Sequence, residues 1–350
     1  MTFGDLISID WSHVRLRRAA FGVVAMLIAV AIIGVVGDVA LTVVIAVLFV
    51  TASGRSEEWS YRWKSMARFT LYGSIIGGLS FWSIESALGV AVVLGIATYI
   101  GTLAAVEGPE AGKAGLFLTL WALFAIMLGS SSTPAIAVMI AYAVGGALAI
   151  AVTGVRWYFR QTDRSTTPPE SGGGPDSSED RPGVVRWVAD AATGPVGQFA
   201  IVRTVGVIVG ALLGAWWFPS YPLWVAITVI VVVRPSAADA MTVAAERTLG
   251  TVLGVLLAVA VASVLTTNDT GVLLAFVLSA FFMMAFNNAN YTLFAMFLTA
   301  MLVLGQRLVQ ADAFDAGMDR LLATFAGGVL SMALVLIAEQ LWAFNADQAQ

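Results

Sequence analysis

Five arginines, Arg55, Arg68, Arg234, Arg247 and Arg320, stand at or near the ends of long apolar runs. A guanidinium is planar, stays charged and presents a fork of donors that matches a carboxylate. An organic anion crossing low-dielectric material must be compensated by positive charge or by hydrogen-bond donors. Arginines so placed can therefore serve anion passage. Their spacing repeats: Arg68 follows Arg55 by 13 residues, and Arg247 follows Arg234 by 13. Plain topology is the competing explanation for these four, since cytoplasmic span ends attract basic residues. Arg320 is harder to assign to topology, because it opens the last apolar run on the opposite side, beside Asp319. A pairing with Asp319 and a role in the pathway both stay open for it.

Other polar residues near the apolar runs are fewer. Asn287 and Asn288, with Asn290 close by, could bind a substrate carboxylate or hydroxyl, or could cap helix ends. Proton-coupled export would need a carboxylate that titrates near the membrane. Glu246, Asp319 and Glu339 are the candidates, with a salt-bridged or interfacial acid as the alternative. Trp82, Trp121, Trp216, Trp217 and Trp224 read mainly as interface anchors. Enzyme chemistry finds no footing. His13 is the one histidine and cysteine is absent, so thiol nucleophiles, histidine-based catalysis and metal clusters are not expected, nor is a cofactor. The stretch Gly108 to Ala114 (GPEAGKA) has the wrong glycine spacing for a phosphate loop and lacks its metal-binding hydroxyl.

The elements that would position these residues are membrane helices. The chain of 350 residues is 59% hydrophobic and 11% charged, against about 25% charged in a soluble domain. The apolar residues form continuous runs without period-2 alternation, which favours helices over a barrel. Twelve spans are expected, at 18–36, 38–53, 66–83, 86–106, 114–129 and 134–155, then at 199–217, 222–233, 248–265, 271–286, 291–305 and 318–338. The first is read as a retained signal-anchor helix. Residues 161–183 are rich in Pro, Gly, Ser and charge and are expected to be a disordered cytoplasmic linker. The stretch from Val184 to Phe199 then suits an interfacial helix. The expected domains are thus 1–160, the linker, and 184–350. With both termini inside, 16 of the 18 basic residues fall on the cytoplasmic side, leaving Arg307 and Arg320 outside. The Arg and Ala bias suits a GC-rich bacterial genome, and a bacterial plasma membrane is the expected location.

The halves resemble each other. Besides the arginine spacing, Tyr142 to Val152 (YAVGGALAIAV) is similar to Thr324 to Leu334 (TFAGGVLSMAL). Six spans each would give two repeats of one orientation, related by an axis along the membrane normal. Two matched pairs of spans are short, 38–53 with 222–233 and 114–129 with 291–305. Short spans at corresponding places point to a transport site between the halves. The segment Tyr221 to Ala258 (YPLWVAITVIVVVRPSAADAMTVAAERTLGTVLGVLLA) carries an aromatic start, a short apolar span, Arg234-Pro235, then Glu246-Arg247-Thr248 opening a glycine-rich span. With Tyr291 to Phe294, Arg320 to Leu322 and Gly327-Gly328, it resembles the fusaric-acid-resistance-like family of the aromatic acid exporter superfamily. That resemblance implies gradient-driven export of small organic anions, often aromatic carboxylates. It leaves an anion channel and a non-transporting scaffold subunit as alternatives. Expected partners are the lipid bilayer and the anion, and further a second copy of the chain or an accessory efflux subunit; nucleic acid is not expected.

Overall fold

A computed structural model describes residues 9–14, 16, 19–24, 27, 40–53, 59–128, 133–163, 194–266, 268–287, 289–308 and 312–348. Arg55, Asn288, most of the expected linker and much of the first expected span lie outside these. All regular structure among the described residues is helical. The helices are α1 (Ala40–Ser53), α2 (Trp59–Ser83), α3 (Ala87–Leu103), α4 (Pro109–Leu128), α5 (Ala135–Asp163), α6 (Pro195–Trp217), α7 (Trp224–Val232), α8 (Ala237–Val264), α9 (Asp269–Phe286), α10 (Tyr291–Leu308) and α11 (Ala313–Gln348). Seven stretches are long and apolar enough to cross a bilayer: α3 with the turn after it, α5, α6, α8, α9, α10 and α11. Shorter apolar stretches occupy Thr42–Thr51 and Ala111–Met127. Helices suit the bilayer because each satisfies its own backbone donors and acceptors there.

Polar caps set the helix starts. Asn268, Asn290 and Asp312 accept backbone N–H bonds from Gly271, Leu293 and Phe314 at 2.9, 2.7 and 2.7 Å. Ser236 and Asp239 form a reciprocal cap on α8, and Glu339 accepts the Ala237 N–H at 2.7 Å. These caps start α8 and α11 earlier than the apolar runs do. Helix-forming Ala, Glu and Arg residues continue the helices beyond the apolar stretches. Arg247 therefore lies ten residues inside α8 rather than at a span end.

Both halves pair their helices alike. α2 packs on α5 as α8 packs on α11, and α1 on α5 as α7 on α11. Likewise α2 and α3 pack on α4, while α8 and α9 pack on α10. The two glycines singled out in the sequence make matched close approaches. A Cβ at Gly145 would lie 2.5 Å from the Val43 carbonyl oxygen, and one at Gly327 would lie 2.9 Å from that of Val225. Only glycine lets α5 and α11 come so near α1 and α7.

The halves meet along apolar seams. α3 packs on α6, and Gly22 abuts Met284 of α9. Val43, Val44, Val47 and Ala141 join Ala280, Met283 and Met301 in one core. Every residue of α7 is buried, and Val225, Ile227 and Ile230 share a core with Leu94 and Leu123 of the first half. The outer faces stay apolar, as in the stripe Leu88, Val92, Ile96 and Ile100 of α3, and meet lipid. The exposed Trp82, Trp216 and Trp217 stand at helix ends, whereas Trp121 and Trp224 are buried.

Candidate functional site

Arg247 of α8 and Arg320 of α11 are 1% and 0% exposed. Each has a threonine one turn further on the same face, Thr251 and Thr324, since residues four apart in a helix align. The register of the helices brings these four together. A Cβ at Gly250 would touch the Thr292 carbonyl of α10, and one at Gly317 would touch Val255. α10 starts at Tyr291 within reach of Arg320, sets Thr292 against Gly250 and Thr299 against Gly254, one turn deeper along α8, and α7 adds Trp224 beside Arg320.

Polar groups without hydrogen-bond partners accumulate there. Nε and Nη2 of Arg247, all three guanidinium nitrogens of Arg320, the hydroxyls of Thr251, Thr292, Thr299, Thr324 and Tyr291, and Nε1 of Trp224 are buried and unpartnered. No carboxylate among the described residues forms an ion pair with either arginine. The two guanidiniums repel each other, and Tyr291 lies within electrostatic reach of Arg320. The one compensation visible for Arg320 is aromatic: its guanidinium sits 5.0 Å from the centre of the Trp224 ring. Tyr221 stacks on Trp224 with centroids 4.1 Å apart and planes 7° apart. One face of Trp224 is thus taken by Tyr221, which leaves the other for Arg320. Burial, with the Asp319 carboxylate nearby, raises the Tyr221 phenol above its usual range, so it stays neutral.

Burying an uncompensated charge costs several kcal/mol. Here two such charges and several hydroxyls are buried, and no carboxylate among the described residues pairs with the charges. What the arrangement can do chemically is bind an oxyanion by charge and by donated hydrogen bonds, with no group placed to break a bond. Among the described residues no three His, Cys, Asp or Glu side chains gather as a metal site.

The other residues singled out in the sequence lie elsewhere. Arg68 is exposed on α2. Arg234 is half-buried in the connection between α7 and α8, and its charge reaches Arg203 and Glu246. Glu246 and Asp319 are both partly buried. Asn287 follows the last turn of α9. The cluster lies inside the second half, between α7, α8, α10 and α11, while the seam between the halves is apolar.

Arg203 escaped the sequence reading except as a topology marker. It is buried, with Nε donating to the Ile230 carbonyl at 3.1 Å and Nη2 donating to the same oxygen. It therefore caps the C-terminal end of α7, where carbonyls lack helical partners. The site threonines and Trp224 were also missed. The available signal was spacing: Thr251 and Thr324 each stand four residues after an arginine, and Thr292 and Thr299 stand seven apart on one face of α10.

Comparison with known proteins matches residues 211–334 to a family model described as fusaric acid resistance protein-like. No curated protein and no solved structure matches the chain. Trp224, Arg247, Tyr291, Arg320 and Thr324 all fall within the matched residues, so the segment that carries the buried arginines is the one similar to the fusaric acid resistance protein-like family.

Proposed function

We propose that the chain is a gradient-driven exporter of small organic anions, with aromatic carboxylates as the substrate class. The observation that carries this reading is the pair of buried guanidiniums of Arg247 and Arg320, which lack any protein counter-ion among the described residues. The family match supports a membrane transport role. Arg247 and Arg320 bind the carboxylate, the threonines one turn from them, Thr251 and Thr324, donate hydrogen bonds to it, and Arg234 draws anions to the cytoplasmic mouth. Glu246 and Asp319 are the carboxylates best placed for proton coupling.

The architecture belongs to the same reading. Twelve spans form two six-helix repeats of one orientation in a bacterial plasma membrane, with both termini cytoplasmic. The matched helix pairings and the matched approaches of Gly145 and Gly327 support the repeat. The short α7 brings Trp224, its first residue, against Arg320, as discontinuous helices bring their ends to transport sites.

Flux of fusaric acid and of benzoate from proteoliposomes tests the proposal. Wild type should carry both. Arg247→Gln and Arg320→Gln should each lower flux by about 30-fold or more, the usual consequence of removing one partner of a buried charge interaction. Unchanged flux in both variants would sink it. Current that follows voltage and does not saturate with substrate would replace the carrier by an anion channel. Absence of flux together with a co-purifying protein would point to the scaffold role.

A further inference from the structure

We infer that the described residues form one buried, unpaired cationic site, and that the place corresponding to it in the first half is closed by the aromatic pair Trp121 and Tyr142. The ligand arm of the test below rests on the anion-export reading; the stability arm does not.

Glycines fix the correspondence. Gly73 and Gly77 of α2 stand four apart, as do Gly250 and Gly254 of α8; Trp121 of α4 lies against Gly77 and bonds the Gly73 carbonyl, Tyr142 of α5 fills the open face of Gly73, and α10 packs against both Gly250 and Gly254. Gly145 and Gly327 mark the matching levels of α5 and α11. Counted from these glycines, Thr70 stands where Arg247 does, Ser74 where Thr251 does, Val138 where Arg320 does, and Tyr142 where Thr324 does.

The two places differ in chemistry. In the first half the Thr70 hydroxyl donates to the Met66 carbonyl at 2.8 Å, and Ser74 donates to that of Thr70 at 2.9 Å. Trp121 Nε1 donates to the Gly73 carbonyl at 2.7 Å. The Trp121 and Tyr142 rings lie 4.5 Å apart, both side chains are fully buried, and Val138 is buried with them in one core. The Tyr142 hydroxyl has no partner, but no charge enters. In the second half, two cations and four threonine hydroxyls are buried without acceptors. Arg68 does not restore the symmetry. It stands five residues before Gly73, while Arg247 stands three before Gly250. Two residues turn a helix by about 200°, which puts Arg68 on the outer face, where it is exposed. With a packed aromatic plug in one half and a cationic cluster in the other, the described residues offer an anion one place to bind and not two.

Equilibrium dialysis of labelled benzoate against the purified full chain in detergent reads the stoichiometry. One benzoate per chain is expected, lost in Arg320→Gln and kept within twofold in Tyr142→Phe. Two per chain, or a tenfold loss in Tyr142→Phe, would overturn the inference. Thermal unfolding without ligand supplies the second arm. Arg320→Met removes an uncompensated charge and should raise the unfolding midpoint, whereas Val138→Arg and Trp121→Phe should lower it. A lowered midpoint in Arg320→Met would overturn the inference. A raised midpoint with no benzoate bound to wild type would remove the export reading while supporting the single cationic site.

Discussion

At the scale of the residue, the cost of burying Arg320 is offset by one visible contact, the face of Trp224. A desolvated cation–π contact contributes about 2 kcal/mol to the folded state. Trp224→Leu should therefore destabilise the chain by about that much, read as a lower unfolding midpoint, and Trp224→Phe, which keeps a ring, by less. Equal loss in the two variants would mean that the indole N–H matters more than the ring. Arg320→Lys keeps the charge but replaces a planar fork with a point charge, so it should bind carboxylate about tenfold less well. The arginines were legible in the sequence because charge inside apolar runs is rare. Their partners were not. Threonine is unremarkable in a membrane helix, and Trp224 carries the same signature as an interface anchor until the depth of α7 is known.

At the scale of the element, α7 is the least ordinary helix. Nine residues span about 14 Å at 1.5 Å each, less than half of a hydrocarbon core of about 30 Å. It survives because it is buried on every side and because Arg203 takes the Ile230 carbonyl at its end. Arg203→Met should leave that carbonyl unpaired at a cost of about 2 kcal/mol, seen as faster amide exchange in α7 and a lower unfolding midpoint. The adjoining glycines of α11 give a sharper contrast. A Cβ at Gly327 would come 2.6 Å from Cβ of Thr228, whereas one at Gly328 meets nothing within 4 Å. Gly327→Ala should therefore destabilise by about 1–3 kcal/mol, and Gly328→Ala should be neutral or stabilise by up to about 1 kcal/mol through helix propensity. Unfolding midpoints of the two variants decide it, and equal shifts would refute the close approach of α11 to α7. The sequence showed both glycine pairs but not which member faces the neighbouring helix, because that depends on rotation about the axis. The same blindness to rotation made Arg68 and Arg247 look equivalent: their equal spacing from Arg55 and Arg234 concealed a shift of two residues relative to the glycines.

At the scale of the whole molecule, apolar runs were enough to read an all-helical membrane protein, and short runs were enough to find α1 and α7. Helix ends were less legible, since caps such as Ser236 and Asp312 extend helices into polar sequence that hydropathy assigns to loops. Orientation rests on the distribution of basic residues, and the absence of cysteine from the chain makes it directly testable. Single cysteines can be introduced at Lys64 and Asp269, both exposed. With the N-terminus inside, Lys64→Cys lies on the cytoplasmic side, and Asp269→Cys lies on the outer side at the start of α9. A membrane-impermeant maleimide added to intact cells should label the Asp269→Cys variant at once and the Lys64→Cys variant only after permeabilisation. The reverse pattern would invert the molecule. Arg234 would then face outward and would draw anions in, so the proposed direction of transport stands or falls with this labelling.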